Sequence, residues 1–327
     1  KPQQRIYAYH LTQAGLAGRD IMWDCNYRHN LEIRKALEAI LSSNGVVDRE
    51  GQQYVDFEVY AKRVFFANGI HHHYSNKKFS ADFDQAWFLS TLESIGITLS
   101  EEAQRAIFDP EFDAKKVNRA DGVDLLLASA VNFYAPNITQ AEAEAFYAAK
   151  VDADPDRPVS HGLNSRLSRD ENGEIYEEVF SARGRYSNSI KEIIGHLEKA
   201  KDVAENDDQA AALRILIEYY ERGDLTKWDD YNIAWVKTTG GDVDYINGFV
   251  EVYNDPMGYR GSYETVVQVK DFDASERMAV VADNVQWFED HSPIMDDHEK
   301  ESVVGVSYKI VTVAGEAGDA TPATPIG

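Results

Sequence analysis

An α+β fold is predicted, mostly helical with a mixed β-core. Three observations predict it. Apolar residues recur at helical spacing through the first half of the chain, β-branched and aromatic runs cluster in the second half, and no regular βαβ alternation marks a doubly wound sheet. At 327 residues the chain is long enough for about two folding units or one large one.

The elements follow in order. Residues from about Gln4 to Leu41 read as helical, with Leu31, Ile33, Leu37, Ile40 and Leu41 at helix spacing before the Ser42-Ser43-Asn44-Gly45 stop. A second helix is expected over Asp56 to Asn68, where Phe57, Tyr60, Val64 and Phe65 form one stripe ahead of Gly69. Amphipathic stretches follow near 83–94, 100–108 and 138–150, and Thr139-Gln140-Ala141-Glu142 has the spacing of a capping box. Residues 161–167 and 175–180 flank Asn172-Gly173 and predict a β-hairpin, because Asn-Gly tolerates positive φ. Helices are expected near 187–203, 207–222 and 224–237, the middle one burying Leu213, Ile217 and Tyr220. Runs over 242–253 and 263–269 predict two strands joined through Asn254-Asp255-Pro256-Met257-Gly258. A helix over about 274–290 stops at His291-Ser292-Pro293, and a further strand is expected at 303–313 with Val304, Val306, Tyr308 and Ile310 on one face.

Composition narrows the function. With 56 Asp and Glu against 33 Lys and Arg, the formal net charge is −23. Such a surface repels phosphate backbones, so no nucleic-acid partner is expected; Lys77-Lys78 and Lys115-Lys116 are too short to make a basic face. The acidity serves solubility, or attracts cationic ligands such as the ammonium end of a peptide. Cys25 is the only cysteine, which excludes an intrachain disulfide and a thiolate zinc cluster and favours a reducing compartment. No run approaches the roughly 20 apolar residues of a membrane span, so no membrane partner is expected. The Lys1-Pro2-Gln3-Gln4 start is no signal peptide. A cytoplasmic setting is expected, or a periplasmic one should an upstream signal have been removed.

Several motif classes fail. Adjacent His71, His72 and His73 cannot all ligate one ion from a regular helix or strand, because neighbours point in different directions; metal use would need an irregular loop and a distant carboxylate, and local hydrogen bonds or ligand contact are expected instead. There is no His-Glu-x-x-His segment, no Gly-x-Ser-x-Gly elbow and no phosphate-cradling Gly-Lys-Ser/Thr loop. No catalytic or metal-binding constellation is therefore expected within this chain. One segment carries chemistry: on a strand, Glu251 and Tyr253 share a face with Phe249, so a carboxylate and a phenol project together and can hold an ammonium and a nearby carbonyl. The same pattern also fits an exposed sheet face with unrelated polar side chains.

The run Ile246-Asn-Gly-Phe-Val-Glu-Val-Tyr-Asn-Asp-Pro-Met-Gly258 resembles the Gly-Phe-Ile-Glu-x-Tyr-x-Asp-Pro segment of the dipeptidyl peptidase III family, zinc exopeptidases. The resemblance to Bacteroidetes-type members extends over Gly18-Arg-Asp-Ile-Met-Trp-Asp24, Tyr27-Arg-His-Asn-Leu31, Asn68-Gly-Ile-His-His-His-Tyr-Ser75, Gln140-Ala-Glu-Ala-Glu-Ala-Phe-Tyr147, Gly162-Leu-Asn-Ser165, Asp283-Asn-Val-Gln-Trp-Phe-Glu-Asp-His-Ser-Pro293 and Pro322-Ala-Thr-Pro-Ile-Gly327. It implies a two-lobed enzyme, with residues 1–270 and 302–327 forming a lower-lobe-like α+β domain and 271–301 a helical excursion into the upper lobe.

By the same resemblance, Glu251 binds the free amino end of a peptide and Tyr253 contacts the scissile region. Ile326 and Gly327 belong to the strand along which substrate adds as an extra β-strand. Zinc is the cofactor of the full-length enzyme; its His-Glu-x-x-x-His helix lies downstream in the family, so this chain alone is expected to bind no zinc and to lack peptidase activity. The partners implied are short peptides and a C-terminal half of the same protein. The implied activity is release of dipeptides from peptide N-termini. The alternatives are a non-catalytic peptide-binding or scaffolding protein without the zinc half, and an unrelated helical binding module.

Overall fold

The computed structural model describes residues 1–43, 45, 47–303 and 309–320. Among them the chain forms eleven α-helices and five strands. Helices α1 (Pro2–Asn26), α2 (Asn30–Ser42), α3 (Gln52–Phe66), α4 (Gln85–Ser94), α5 (Glu101–Phe108) and α6 (Gln140–Ala148) come first. The hairpin β1 (Ser165–Arg169) and β2 (Ile175–Val179) follows, then α7 (Ser187–Asp202), α8 (Asp207–Arg222) and α9 (Leu225–Trp235). Strands β3 (Val243–Phe249) and β4 (Tyr263–Lys270) precede α10 (Phe272–Asp283), α11 (Val285–Asp290) and the last strand, β5 (Val311–Gly318).

Local chemistry explains many boundaries. Thr139 and Glu142 form the anticipated capping box: the Thr139 hydroxyl accepts from Glu142 N at 3.3 Å, and the Glu142 carboxylate accepts from Thr139 N at 3.0 Å. The Asn172-Gly173 hairpin closes with Asp170 N donating to Glu174 O at 2.9 Å. Asn206 caps α8 by accepting from Gln209 N, and Gly223 ends it at φ 70°.

Two sequence expectations are corrected. The single long helix over 4–41 is broken: Tyr27 is extended at φ −167°, and its buried phenol donates to Asp113 Oδ2 at 2.8 Å. That tertiary bond overrides a periodicity that runs on without a break signal. Among the described residues the β-core is antiparallel in both sheets, β1-β2 and β3-β4-β5, and parallel pairing occurs only in isolated bridges such as Tyr134 with Leu167. β5 begins near the end of the run expected at 303–313, and Val304, Val306 and Tyr308 lie outside the described residues.

Two apolar clusters hold these elements. The larger joins Leu11 and Ile21 of α1, Ile193 and Leu197 of α7, Leu213 and Leu216 of α8, and Phe249, Tyr263 and Val267 of the sheet. The smaller gathers Trp23, Ile33, Leu37, Phe57, Val64 and Phe88 under α2 to α5. Each fully buried side chain of this size contributes about 1.5–3 kcal/mol. Helix α1 feeds both clusters and lies against the sheet so closely that a Cβ on Gly18 would sit 2.2 Å from Tyr263 Cζ. The Tyr263 hydroxyl donates to the carbonyl of Ala14 at 3.2 Å. This contact explains a glycine in mid-helix, where it lowers helix propensity by about 1 kcal/mol.

The contact sets the sign of a test. Gly18→Ala improves helix propensity yet drives a methyl into the Tyr263 ring, so we expect a net loss of about 1–3 kcal/mol in thermal or denaturant unfolding. A gain of about 1 kcal/mol would contradict the close approach.

Candidate functional site

The β3-β4 connection builds the site. The ladder continues one step past β3, with Val250 N donating to Ser262 O at 3.0 Å and Ser262 N to Glu251 O at 2.8 Å. The chain then turns back through Asn254-Asp255-Pro256-Met257-Gly258. Asp255 organises this turn: its carboxylate accepts from the backbone N–H groups of Met257, Tyr259 and Arg260 at 3.1, 2.8 and 2.8 Å.

Beneath the turn lies a fully buried arginine. Arg260 donates to the hydroxyls of Tyr134, at 2.8 Å, and Tyr147, and its guanidinium carbon lies 4.3 and 4.8 Å from the two ring centroids. Each phenol in turn donates a hydrogen bond to a carboxylate. Tyr134 donates to Asp255 at 2.9 Å, and Tyr147 donates to Glu177 at 2.9 Å, where Lys150 and Ser165 also bond. Arg260 Nη1 is itself 3.9 Å from Asp255 Oδ2. Removing one partner from a buried pair of this kind costs about 3–5 kcal/mol, so the turn is strongly fixed.

The outer side of the turn is acidic and open. Glu251 is exposed, and Tyr253 is 59% exposed with its hydroxyl donating to Asp319 Oδ1 at 2.9 Å. Buried Asn254 accepts from Lys116 Nζ at 2.8 Å and donates to Ser262 Oγ at 3.0 Å and to Asp319 Oδ1 at 3.2 Å. Glu264, opposite Gly248 on β3 and Gly318 on β5, completes the group. Burial, followed by the charges of Asp319, Glu251 and Glu316, pushes the Glu264 carboxyl up to about 7. Burial also raises Asp319, opposed by the Tyr253 hydrogen bond and by Lys116. Burial lowers Lys116 to about 8, with Asp319 acting against the shift. Among the described residues, Glu251, Glu264, Glu316 and Asp319 thus act on one another electrostatically, with the buried Lys116 ammonium opposing the shift at Asp319.

The sequence-predicted residues fare differently. Glu251 and Tyr253 are both exposed on the connection that follows β3, whereas Phe249 is buried. β3 ends at Phe249, whose ring is wholly buried; backbone pairing with Ser262 runs on to Glu251, and the turn then carries Tyr253 away from it. Ile326 and Gly327 lie outside the described residues. In the histidine run only His71 turns away: its Nε2 donates to Asp113 O at 2.8 Å, with burial lowering its pKa to about 4, whereas the His72 and His73 rings stack at 4.9 Å, against the expected divergence, and His72 Nδ1 accepts from the N–H groups of Tyr74 and Ser75. Among the described residues no group of three or more His, Cys, Asp and Glu is arranged to hold a metal ion. The described side chains do not fit a zinc site. Likewise, no helix of the described residues is long and apolar enough to cross a membrane.

Sequence reasoning missed Lys116, Glu264 and Asp319. Lys116 read as half of a short basic run. Glu264 sits in a strand whose alternation, with Tyr263, Thr265 and Val267 buried, was legible and marks it as outward-facing. Asp319 carries no local signal, because only β5 pairing brings it beside Tyr253.

The sequence pattern of peptidase family M49 matches residues 115–324. Dipeptidyl peptidase 3 of Dictyostelium discoideum is 22% identical over 91% of this chain and 46% of that protein. The human dipeptidyl peptidase 3 is 28% identical over 43% of this chain and 19% of its own length. The solved structure of DPP III from Caldithrix abyssi superposes with a TM-score of 0.64 at 19% identity, covering 98% of this chain and 50% of that one. The chain therefore matches half or less of the length of these relatives, and the superposition speaks to the fold. The family match covers well over half of the sequence and includes the Glu251-Tyr253 arm: this chain belongs to peptidase family M49, the dipeptidyl peptidase III family.

Proposed function

We propose that this chain forms the peptide-gripping part of a dipeptidyl peptidase, in which Glu251 takes the free ammonium of a short peptide and Tyr253 meets the backbone beyond it. The observation that carries the reading is the exposed Glu251 carboxylate, two residues from an exposed phenol, on a rim shared with Glu264, Glu316 and Asp319. A cation entering there relieves repulsion among like charges and gains charge-assisted hydrogen bonds. An ammonium anchored at a fixed distance from the reacting bond measures off two residues, which is the logic of an exopeptidase that releases dipeptides.

The zinc of such an enzyme supplies Lewis-acid activation of the scissile carbonyl and of water when bound, held by residues other than those described. On this reading the present stretch by itself has no turnover and works with a C-terminal half of the same protein. Residues 1–270 and 302–327 form the lower-lobe-like domain, with Ile326 and Gly327 on the strand that lines the substrate, and 271–301 reaches into the upper lobe. Helices α10 and α11 support that division: the first buries only Ser275, the second buries nothing, and Val280, Trp287 and Phe288 stand exposed.

In the full-length protein, Glu251→Gln should lower kcat/KM on a dipeptidyl-naphthylamide by roughly 10–150-fold, the worth of about 1.5–3 kcal/mol for a charged hydrogen bond. The discrimination between a free and an N-acetylated amino end should fall with it. Unchanged kcat/KM and discrimination would contradict the assignment.

The rim also has a pH signature. Folded Glu264 keeps its proton up to about pH 7, whereas the unfolded chain releases it near the ordinary value of 4.5. Between these values the folded state binds more protons, so this group's contribution to stability declines as pH rises from about 4.5 to 7 and is level above. Glu264→Gln lacks that decline. Its stability relative to the parent should therefore increase between pH 5 and pH 8 in matched thermal melts, and a pH-independent difference would contradict the crowded-carboxylate description.

A further inference from the structure

His10 of α1 and His196 of α7 face each other, Nδ1 to Nδ1, at 3.3 Å. Their separation of 186 residues hides the pair in the sequence. Core packing sets the spacing: Tyr7, Leu11 and Ala14 on α1 and Ile193, Leu197 and Ala200 on α7 are buried in the larger apolar cluster, and the two imidazoles stand half-buried at the edge of that seam. Two metal–nitrogen bonds of about 2.0–2.1 Å, meeting at about 90–110°, set their nitrogens about 2.8–3.4 Å apart. The observed separation falls inside that span and lies beyond the about 2.9–3.0 Å typical of an N–H donor. Neither Nε2 has a hydrogen-bond partner among the described residues, so each ring can carry its proton there and keep a lone pair at Nδ1. Burial lowers the pKa of both imidazoles, followed by His196 and Lys199 at His10 and by Lys199 at His196, so both are neutral at pH 7.

We propose that His10 and His196 form a two-imidazole clip for a late first-row divalent ion such as Ni²⁺ or Cu²⁺, which ties α1 to α7 when bound. Two imidazoles are fewer than the three or four protein ligands of a zinc site, so water fills the remaining positions and the ranking is that of imidazole donors, Cu²⁺ above Ni²⁺. Glu192, one turn before His196 on α7, acts on that imidazole with a negative charge that favours a cation, and Lys199 opposes it. The clip requires no backbone movement, because the packed helices already hold both rings at ligating distance. An ion there binds the folded chain in preference to the unfolded one, in which the two histidines are far apart, and so stabilises it. Helix α1 feeds both apolar clusters and meets β4 through Tyr263, so the tie acts on the element against which the sheet rests. The inference is independent of the peptide-gripping role.

The test is Ni²⁺ binding to the full-length protein by isothermal titration calorimetry, with the melting temperature followed in parallel. The parent should bind one equivalent whose affinity falls at least about tenfold in His10→Ala and in His196→Ala, and added Ni²⁺ should raise the melting temperature of the parent but not of these variants. His291→Ala, which removes an exposed histidine elsewhere, should behave as the parent. Excess Mg²⁺, which prefers oxygen ligands, should not displace the Ni²⁺. Retention of the equivalent at parental affinity in His10→Ala and His196→Ala, its loss in His291→Ala, or its displacement by Mg²⁺ would overturn the proposal. Crystals of the parent soaked in Ni²⁺ decide the matter without any variant. An anomalous difference peak should lie about 2.0–2.1 Å from both Nδ1 atoms, and the absence of a peak between the two rings would count against the clip.

Discussion

The structure around the site depends on one buried arrangement: Arg260 between two phenols, each of which relays to a carboxylate. Without Asp255 and Tyr134 an uncompensated guanidinium would remain in the interior; without Arg260 the two phenols would lose a donor and Asp255 a countercharge. The carboxylate of Asp255 also gathers three backbone N–H groups of the turn, so the electrostatic requirement of the core and the shape of the exposed arm are met by the same atoms. A loop whose outer face must be polar and open is held from its inner face.

The sheet supplies the second constraint. Helix α1 crosses closely enough to β4 that the Tyr263 hydroxyl reaches a helix carbonyl, and this fixes which face of β4 is sealed. Tyr263, Thr265 and Val267 turn inward, so Glu264 between them must turn outward toward Glu251 and Asp319. Like charges are brought together by register, and the repulsion they carry suits a surface that receives a cation. Lys116 offsets part of it from below without occupying the open rim.

Much of the fold was legible where local chemistry decides structure. The Thr139 capping box, the Asn172-Gly173 hairpin and the stripe of α8 all express interactions within a few residues of one another. Legibility failed where distant partners decide. Tyr27 leaves its helix to reach Asp113, and no local residue announces that break. At the site, the strand geometry expected to group Glu251 and Tyr253 with Phe249 does not reach Tyr253, because β3 ends at Phe249 and its backbone pairing at Glu251. Lys116 and Asp319 were invisible for a related reason: they are neighbours of Asn254 only after separate segments, more than sixty residues away on each side, have folded against the β3-β4 connection.

The account stands on a carboxylate that meets the amino end of a peptide. A crystal structure of the full-length protein with a bound tripeptide would measure it most directly. We expect the terminal nitrogen at about 2.7–3.2 Å from a carboxylate oxygen of Glu251. A peptide lying with its amino end in solvent, or gripped by other residues while Glu251 faces water, would contradict the account.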